Sequence, residues 1–321
     1  MTHRGTSMVD YGTGVYGPIP SGRPAGMDAA GIKAGVGCVS TGVIPFPAHH
    51  RTGTCRRVLA TFFVLGLSFA ALAAEPAIDL ARFDEPASSD ELTQEVAQLS
   101  RLIQAKPTQA ALYARRGAAW FKLREFDKAI EDFSAALKLN DKLDEAYFGR
   151  GMALGRNGQV DEGIVDLGVY IHRHPTSSLA YTKRGVRHIW KGDLENAEKD
   201  LARAIALNPK NAEAHDDLGV IHAQRRDYEK AAQHFQATIR SEPSYQKAYH
   251  NLAMVHYLTE RNELALAVVD QALQLIPDAR DSLLLKGAIL EALGRHAEAR
   301  TLKEDAEFLP QGERSSRMLI Q

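Results

Sequence analysis

Cysteine is almost missing from this chain. Its 321 residues include two, Cys38 and Cys55, and none follows position 55. Everything beyond that point therefore lacks a disulfide framework, a thiolate metal site and thiol catalysis. An excess of either charge is missing too, with 39 Lys and Arg against 40 Asp and Glu. Residues 1–73 hold six of the basic and two of the acidic side chains, so the remainder carries 33 basic against 38 acidic, a net of −5. That balance argues against a nucleic-acid partner, which needs a basic face. Long apolar runs are limited to one, Val58–Ala74, which excludes a protein of many membrane spans. Catalytic signatures are also absent: no P-loop, no H-E-x-x-H, no G-x-S-x-G and no paired C-x-x-C. Gly12-Thr13-Gly14-Val15-Tyr16-Gly17 matches G-x-G-x-x-G, but Pro18 and Pro20 forbid the helix a dinucleotide site requires. The expectation is a non-enzymatic protein with no cofactor and no metal.

What the chain does have is a period of 34. Gly117, Gly151, Gly185, Gly219, Ala253 and Gly287 form one series of small residues. Ala129, Gly163, Ala197, Ala231, Ala265 and Ala299 form a second, and Pro107, Pro175, Pro209, Pro243 and Pro277 a third. With residue 110 as position 1, six units follow: 110–143, 144–177, 178–211, 212–245, 246–279 and 280–313. Apolar residues recur at positions 4, 24 and 28 on helical spacing. Turn residues such as Asn157-Gly158 and Gly192-Asp193 divide each unit, and the boundary prolines end helices. Each unit is expected to be helix A, a turn, helix B and a second turn. Two helices pack about 8–10 Å apart, and small residues at positions 8 and 20 permit that approach. Leu92, Val96, Leu99 and Leu102/Ile103 predict one further helix within 88–107, led by a Ser88–Glu91 capping-box pattern.

The pattern resembles the tetratricopeptide repeat family, most clearly at Ala214-His215, Leu218-Gly219, Tyr228, Ala231, Phe235, Ile239 and Pro243. The likeness spans 110–313 and fades in the last unit, where Lys303 and Glu307 stand at core positions, as suits a terminal unit facing water. It implies an all-α fold: an α-solenoid, wound as a right-handed superhelix of six helix-turn-helix units behind an N-terminal cap helix. It also implies a protein-interaction role, with a peptide or partner protein lying in a concave groove lined by helix A.

Carrying over the family's groove positions 2, 5, 9, 12 and 13 gives a candidate surface. Its apolar members include Phe121, Phe148, Met152, Val186, Ile189, Trp190, Val220, Met254, Tyr257 and Leu258. Its charged members include Lys122, Arg156 and Lys247, with Glu145, Glu213 and Asp216 scattered along it. Aromatic residues and Met at such a surface mark recognition. Trp190, large and central, is the leading anchor. Part of the family grips a C-terminal carboxylate with Lys and Asn residues; Lys247 and Asn251 fit that pattern, but Thr182, Val186 and Asp217 do not, so that activity is not expected.

Two ladders need a reading. His188, His222 and His256 share position 11, but successive A helices stand at least a packing distance of about 8–10 Å apart, too far for one ion with bonds of about 2.0–2.1 Å. They are expected to fill interhelical space. Arg116, Arg150 and Arg184 share position 7 and are expected to pack by their stems and pair with carboxylates of the next helix.

Residues 1–57 are rich in Gly and Pro in their first fifty positions and read as a disordered extension with the n-region of a signal. Arg56-Arg57, the apolar run 58–74 and Ala71-Leu72-Ala73 have the layout of a cleaved secretory signal; an uncleaved inner-membrane anchor is the alternative. The length before the run suggests a true start further downstream. Residues 75–87 read as a linker and 314–321 as a tail. The combined expectation is an exported, periplasmic or secreted scaffold that organises envelope complexes through a protein or peptide ligand. It would meet the membrane only through its signal. The rival readings are a self-associating structural protein and an envelope hydrolase or carbohydrate-active protein using groove carboxylates.

Overall fold

A computed structural model describes residues 78–80, 83 and 87–309; the expected extension, signal run and tail lie outside the described residues. The first helix, α1 (Ser89–Ala105), precedes six helix pairs. These are α2 (Ala110–Lys122) with α3 (Phe126–Leu139), α4 (Asp144–Arg156) with α5 (Val160–Arg173), and α6 (Ser178–Lys191) with α7 (Leu194–Leu207). Then come α8 (Ala212–Gln224) with α9 (Tyr228–Ser241), α10 (Gln246–Leu258) with α11 (Asn262–Leu275), and α12 (Arg280–Ala292) with α13 (His296–Glu307). Among the described residues there is no strand, and no helix long and apolar enough to cross a membrane. Each pair packs on itself, then on the next pair, and the first helices of neighbouring units also touch. Those first helices therefore form the inner layer of an all-α solenoid.

The period has a direct physical meaning in the core. Position 20 is Ala129, Ala197, Ala231, Ala265 or Ala299, each 0% exposed. Position 24 is Phe133, Leu167, Leu201, Phe235 or Val269, also 0% exposed. Each such large side chain stabilises by about 1.5–3 kcal/mol through burial. In the second unit both small positions are glycine, and the helices close further. A Cβ on Gly151 would stand 2.9 Å from the Gly163 carbonyl oxygen, and one on Gly163 would stand 2.7 Å from that of Gly151. In the last unit Lys303 lays its stem against Gly287 and carries its ammonium out to Glu291, 2.7 Å away.

Turn geometry repeats as well. Position 15 adopts a left-handed backbone in every unit: Gly158, Gly192 and Gly294 in three, but Arg124, Arg226 and Glu260, with φ of 63°, 62° and 60°, in the others. Helix starts are capped locally, with Ser177, Asp193, Asn211 and Asp227 each accepting from an amide three residues on. Ser88 stands at the N-cap of α1, as its pattern suggests, but its hydroxyl makes no capping bond.

The Arg ladder holds units 1–3. Arg116 makes two bonds to Asp132, both 2.7 Å; Arg150 makes bonds of 2.6 and 2.9 Å to Asp166; Arg184 makes two of 2.7 Å to Asp200. Each links position 7 of helix A to position 23 of helix B. Hydrogen bonding to the carboxylate pushes each guanidinium still further up in pKa. The Arg heads also lie 5.7–5.9 Å from the rings of Tyr113, Tyr147 and Tyr181 at position 4.

Candidate functional site

The inner layer has two parts with different surroundings. At its N-terminal end, a segment outside the period lies on the first two units. Phe83, 2% exposed, sits 4.6 Å ring to ring from Phe121 and 5.8 Å, edge-on, from Phe148. Phe133 lies 6.3 Å away, and Ile78 and Leu80 pack against the same cluster. Aromatic pairs of this kind add about 0.5–1.5 kcal/mol each beyond burial. A cavity of about 420 Å³ remains beside the segment, between Glu91, Leu92 and Glu95 of α1 and Arg115, Ala118 and Lys122 of α2.

Further along, two guanidinium groups lie over the Trp190 ring. Arg187 lies 4.6 Å and Arg156 5.2 Å from its ring centre. Arg187 is 2% exposed and its Nη2 donates to the Met152 carbonyl at 3.2 Å. Space for it exists because Gly155 has no side chain; a Cβ there would meet Arg187 Nε at 2.6 Å. Trp190 is thus packed against two fixed charged neighbours.

The carboxylates Glu213, Asp216 and Asp217, close together on α8, lie against α6 and α10. Lys183 Nζ donates to both oxygens of Glu213 at 2.9 Å. Asn251 Nδ2 donates to Asp216 Oδ1 at 3.1 Å. Burial pushes Asp216, 3% exposed, up to about 6, with Lys247 opposing the rise. Asp217 rises well above the usual range for the same reason, reinforced by Glu213 and Asp216. Its Oδ2 is out of contact with solvent and has no hydrogen-bond partner. These groups face two lysines and an amide, while the 420 Å³ cavity lies against α1 and α2.

Histidines form a third cluster. His215 Nδ1 lies 3.0 Å from His234 Nδ1, and the His222 ring stacks on His234 at 5.4 Å. Burial, then the neighbouring His215 and His222, hold His234 down to about 4. His222 and His256 of the position-11 ladder are buried, each 8% exposed, in separate units. Among the described residues no group of three His, Cys, Asp or Glu is placed to hold a metal ion.

The candidate groove residues divide accordingly. Phe148 and Met152, 1% exposed, and Phe121, Ile189 and Val220, at 7–9%, are core rather than free surface. Lys122, Val186, Trp190, Lys247, Met254 and Tyr257 are partly exposed, while Arg156 and Leu258 are exposed. Sequence reasoning missed Phe83, whose one signal is the apolar spacing Ile78, Leu80, Phe83 within a short linker.

Comparison with known proteins bears on the whole array. Family models for the tetratricopeptide repeat match 110–143, 145–177 and, in overlapping stretches, 183–246, 217–280 and 250–313. No curated protein matches the sequence. Among solved structures, a tetratricopeptide repeat protein from Parabacteroides merdae ATCC 43184 is similar at 18% identity and a TM-score of 0.57, over 72% of this chain and 91% of that one. The APC/C hetero-tetramer Cut9–Hcn1 is similar at 17% identity and a TM-score of 0.56, over 74% of this chain and 47% of that one. At these identities the likeness speaks for fold, whereas the family models cover more than half of the sequence. The chain belongs to the tetratricopeptide repeat family.

Proposed function

We propose that this chain is a protein-interaction scaffold that holds an extended or helical segment of a partner along the inner face of units 3–5, outside the cytoplasm. One observation carries the site. Trp190 is partly exposed, has the guanidinium groups of Arg156 and Arg187 over its ring, and is followed along the inner layer by the partly exposed Met254 and Tyr257 and the exposed Leu258. A rigid aromatic anchor with apolar neighbours and a nearby Lys247 is the composition of an interface hot spot. Export is supported by the signal layout of 56–74; the absence of cysteine beyond it is compatible with either compartment. Organisation of envelope complexes is the role that fits such a scaffold there. The test is affinity capture from an envelope fraction, comparing the wild-type chain with Trp190→Ala/Tyr257→Ala. Proteins lost only from the variant, with its melting temperature nearly unchanged, support the reading. Identical captures would sink it.

A further inference from the structure

The segment before α1 is positioned like a ligand. In the sequence register, Ile78, Leu80 and Phe83 fall one period before residues 112, 114 and 117 of the first unit. Leu80 starts a tight turn, with the Phe83 amide donating to its carbonyl at 3.3 Å. From there Phe83 reaches across the first helix of unit 1 to the first helix of unit 2, against Phe121 and Phe148. No repeat position supplies this aromatic; it arrives from a segment outside the period. The seat itself is built from repeat positions 12 and 5, which belong to the inner layer. The segment does not fill the face either, since the cavity of about 420 Å³ stays beside it, bordered by Arg115 and Lys122 on one wall and Glu91 and Glu95 on the other.

We propose that the inner face of units 1–2 is a second receptor surface, for an extended segment bearing an aromatic anchor preceded by aliphatic residues, and that Ile78, Leu80 and Phe83 occupy it in cis until such a segment displaces them. The proposal rests on the interaction reading above and adds the partner's chemistry. The cis occupant defines what fits: aliphatic side chains at the places of Ile78 and Leu80, then a ring at the place of Phe83. A tethered segment competes at an effective concentration of about 1 mM. A free segment of the same chemistry therefore binds the intact chain weakly and a chain without its own anchor much more tightly.

The experiment uses the full chain and, as probe, a fluorescein-labelled synthetic peptide with the sequence of residues 76–86. Anisotropy titrations compare wild type with Ile78→Ser/Leu80→Ser/Phe83→Ser. The expected result is binding to the triple variant at least roughly tenfold tighter than to wild type, and none by a peptide with Ser in place of the Phe. Equal affinity for both chains, or no binding to either, overturns the proposal. So does a triple variant that has lost its helical circular dichroism, because the segment would then be core. A wild-type dimer in sedimentation that dissolves in the triple variant also overturns it, by making a second copy the occupant. If the peptide test fails while Trp190→Ala/Tyr257→Ala still loses partners in capture, only this proposal falls.

Discussion

In units 1–3, position 7 is an arginine gripping an aspartate at position 23; in units 4 and 5 position 7 is Leu218 or Leu252, and position 23 is His234 or Val268. The helix hairpins keep the same form in both halves. Position 24 is equally buried in both, from Phe133 to Val269. The Ala- and Gly-lined contact and the position-24 side chain thus determine the fold, and the 7–23 pair is free to vary in chemistry. What varies with it is the response to mutation and to pH. An ion pair whose carboxylate is buried resists loss of one partner badly, while an apolar pair tolerates it as an ordinary cavity.

The largest test of that contrast removes one side of a pair. Arg150→Ala strands Asp166, which is 5% exposed, and is expected to cost about 3 kcal/mol in denaturant unfolding. Arg150→Leu with Asp166→Val copies unit 5 and should recover to within about 1 kcal/mol of wild type. If the double variant stays as unstable as the single, the apolar pair is not an equivalent solution.

The next largest effect is one of pH, and it belongs to unit 4. His234 is held down to about 4, so in the folded chain it stays neutral while the unfolded chain takes up a proton near pH 6.5. Its contribution is complete above pH 6.5 and is lost as pH falls toward 4; with solvent screening of the partly exposed ring it amounts to about 1 kcal/mol. His234→Val, copying unit 5, should flatten the melting curve over that range. Asp216 works the other way. Its folded value of about 6 lies above the usual 3.8, so the native chain holds the extra proton and stability falls as pH rises through that window. Asp217 shifts in the same direction, and Asp217→Asn should therefore raise the melting temperature above pH 6. A variant melting lower at pH 7.5 would show that the ionised carboxylate is satisfied after all.

The smallest effect compares turns. Arg124, Arg226 and Glu260 hold the left-handed position that Gly158, Gly192 and Gly294 hold elsewhere. Replacing any of the three by Gly relieves about 1–2 kcal/mol of backbone strain, against the about 0.4–1 kcal/mol of added unfolded-state entropy that Gly brings. The net runs from about zero to a stabilisation of about 1.6 kcal/mol, read from denaturation midpoints. The opposite exchange, Gly192→Arg, should destabilise by a similar amount.

Much of this was legible beforehand. The spacing placed all six hairpins, and the helix bounds fall within them. The position-7 arginines were expected to pair, and the structure shows the partners sixteen residues on. The candidate groove was legible only in part. Family positions alone do not separate Trp190, which keeps exposed surface, from Phe148, which Phe83 covers. Nor do they reveal how deeply Asp216 and Asp217 are buried: their spacing from Glu213 on one helix is legible, but the burial depends on how α6 and α10 stack against α8.

The sequence by itself determined the period, the helix pairs and which small residues lie between them. It could do so because each repeat touches its neighbours and little else, so packing is written at a fixed short range. The tertiary structure alone decided where Ile78, Leu80 and Phe83 go, why Arg187 lies buried against Trp190, and which carboxylates share one burial. Those outcomes depend on contacts across units and on a segment that obeys no period, and a repeat pattern carries no record of them.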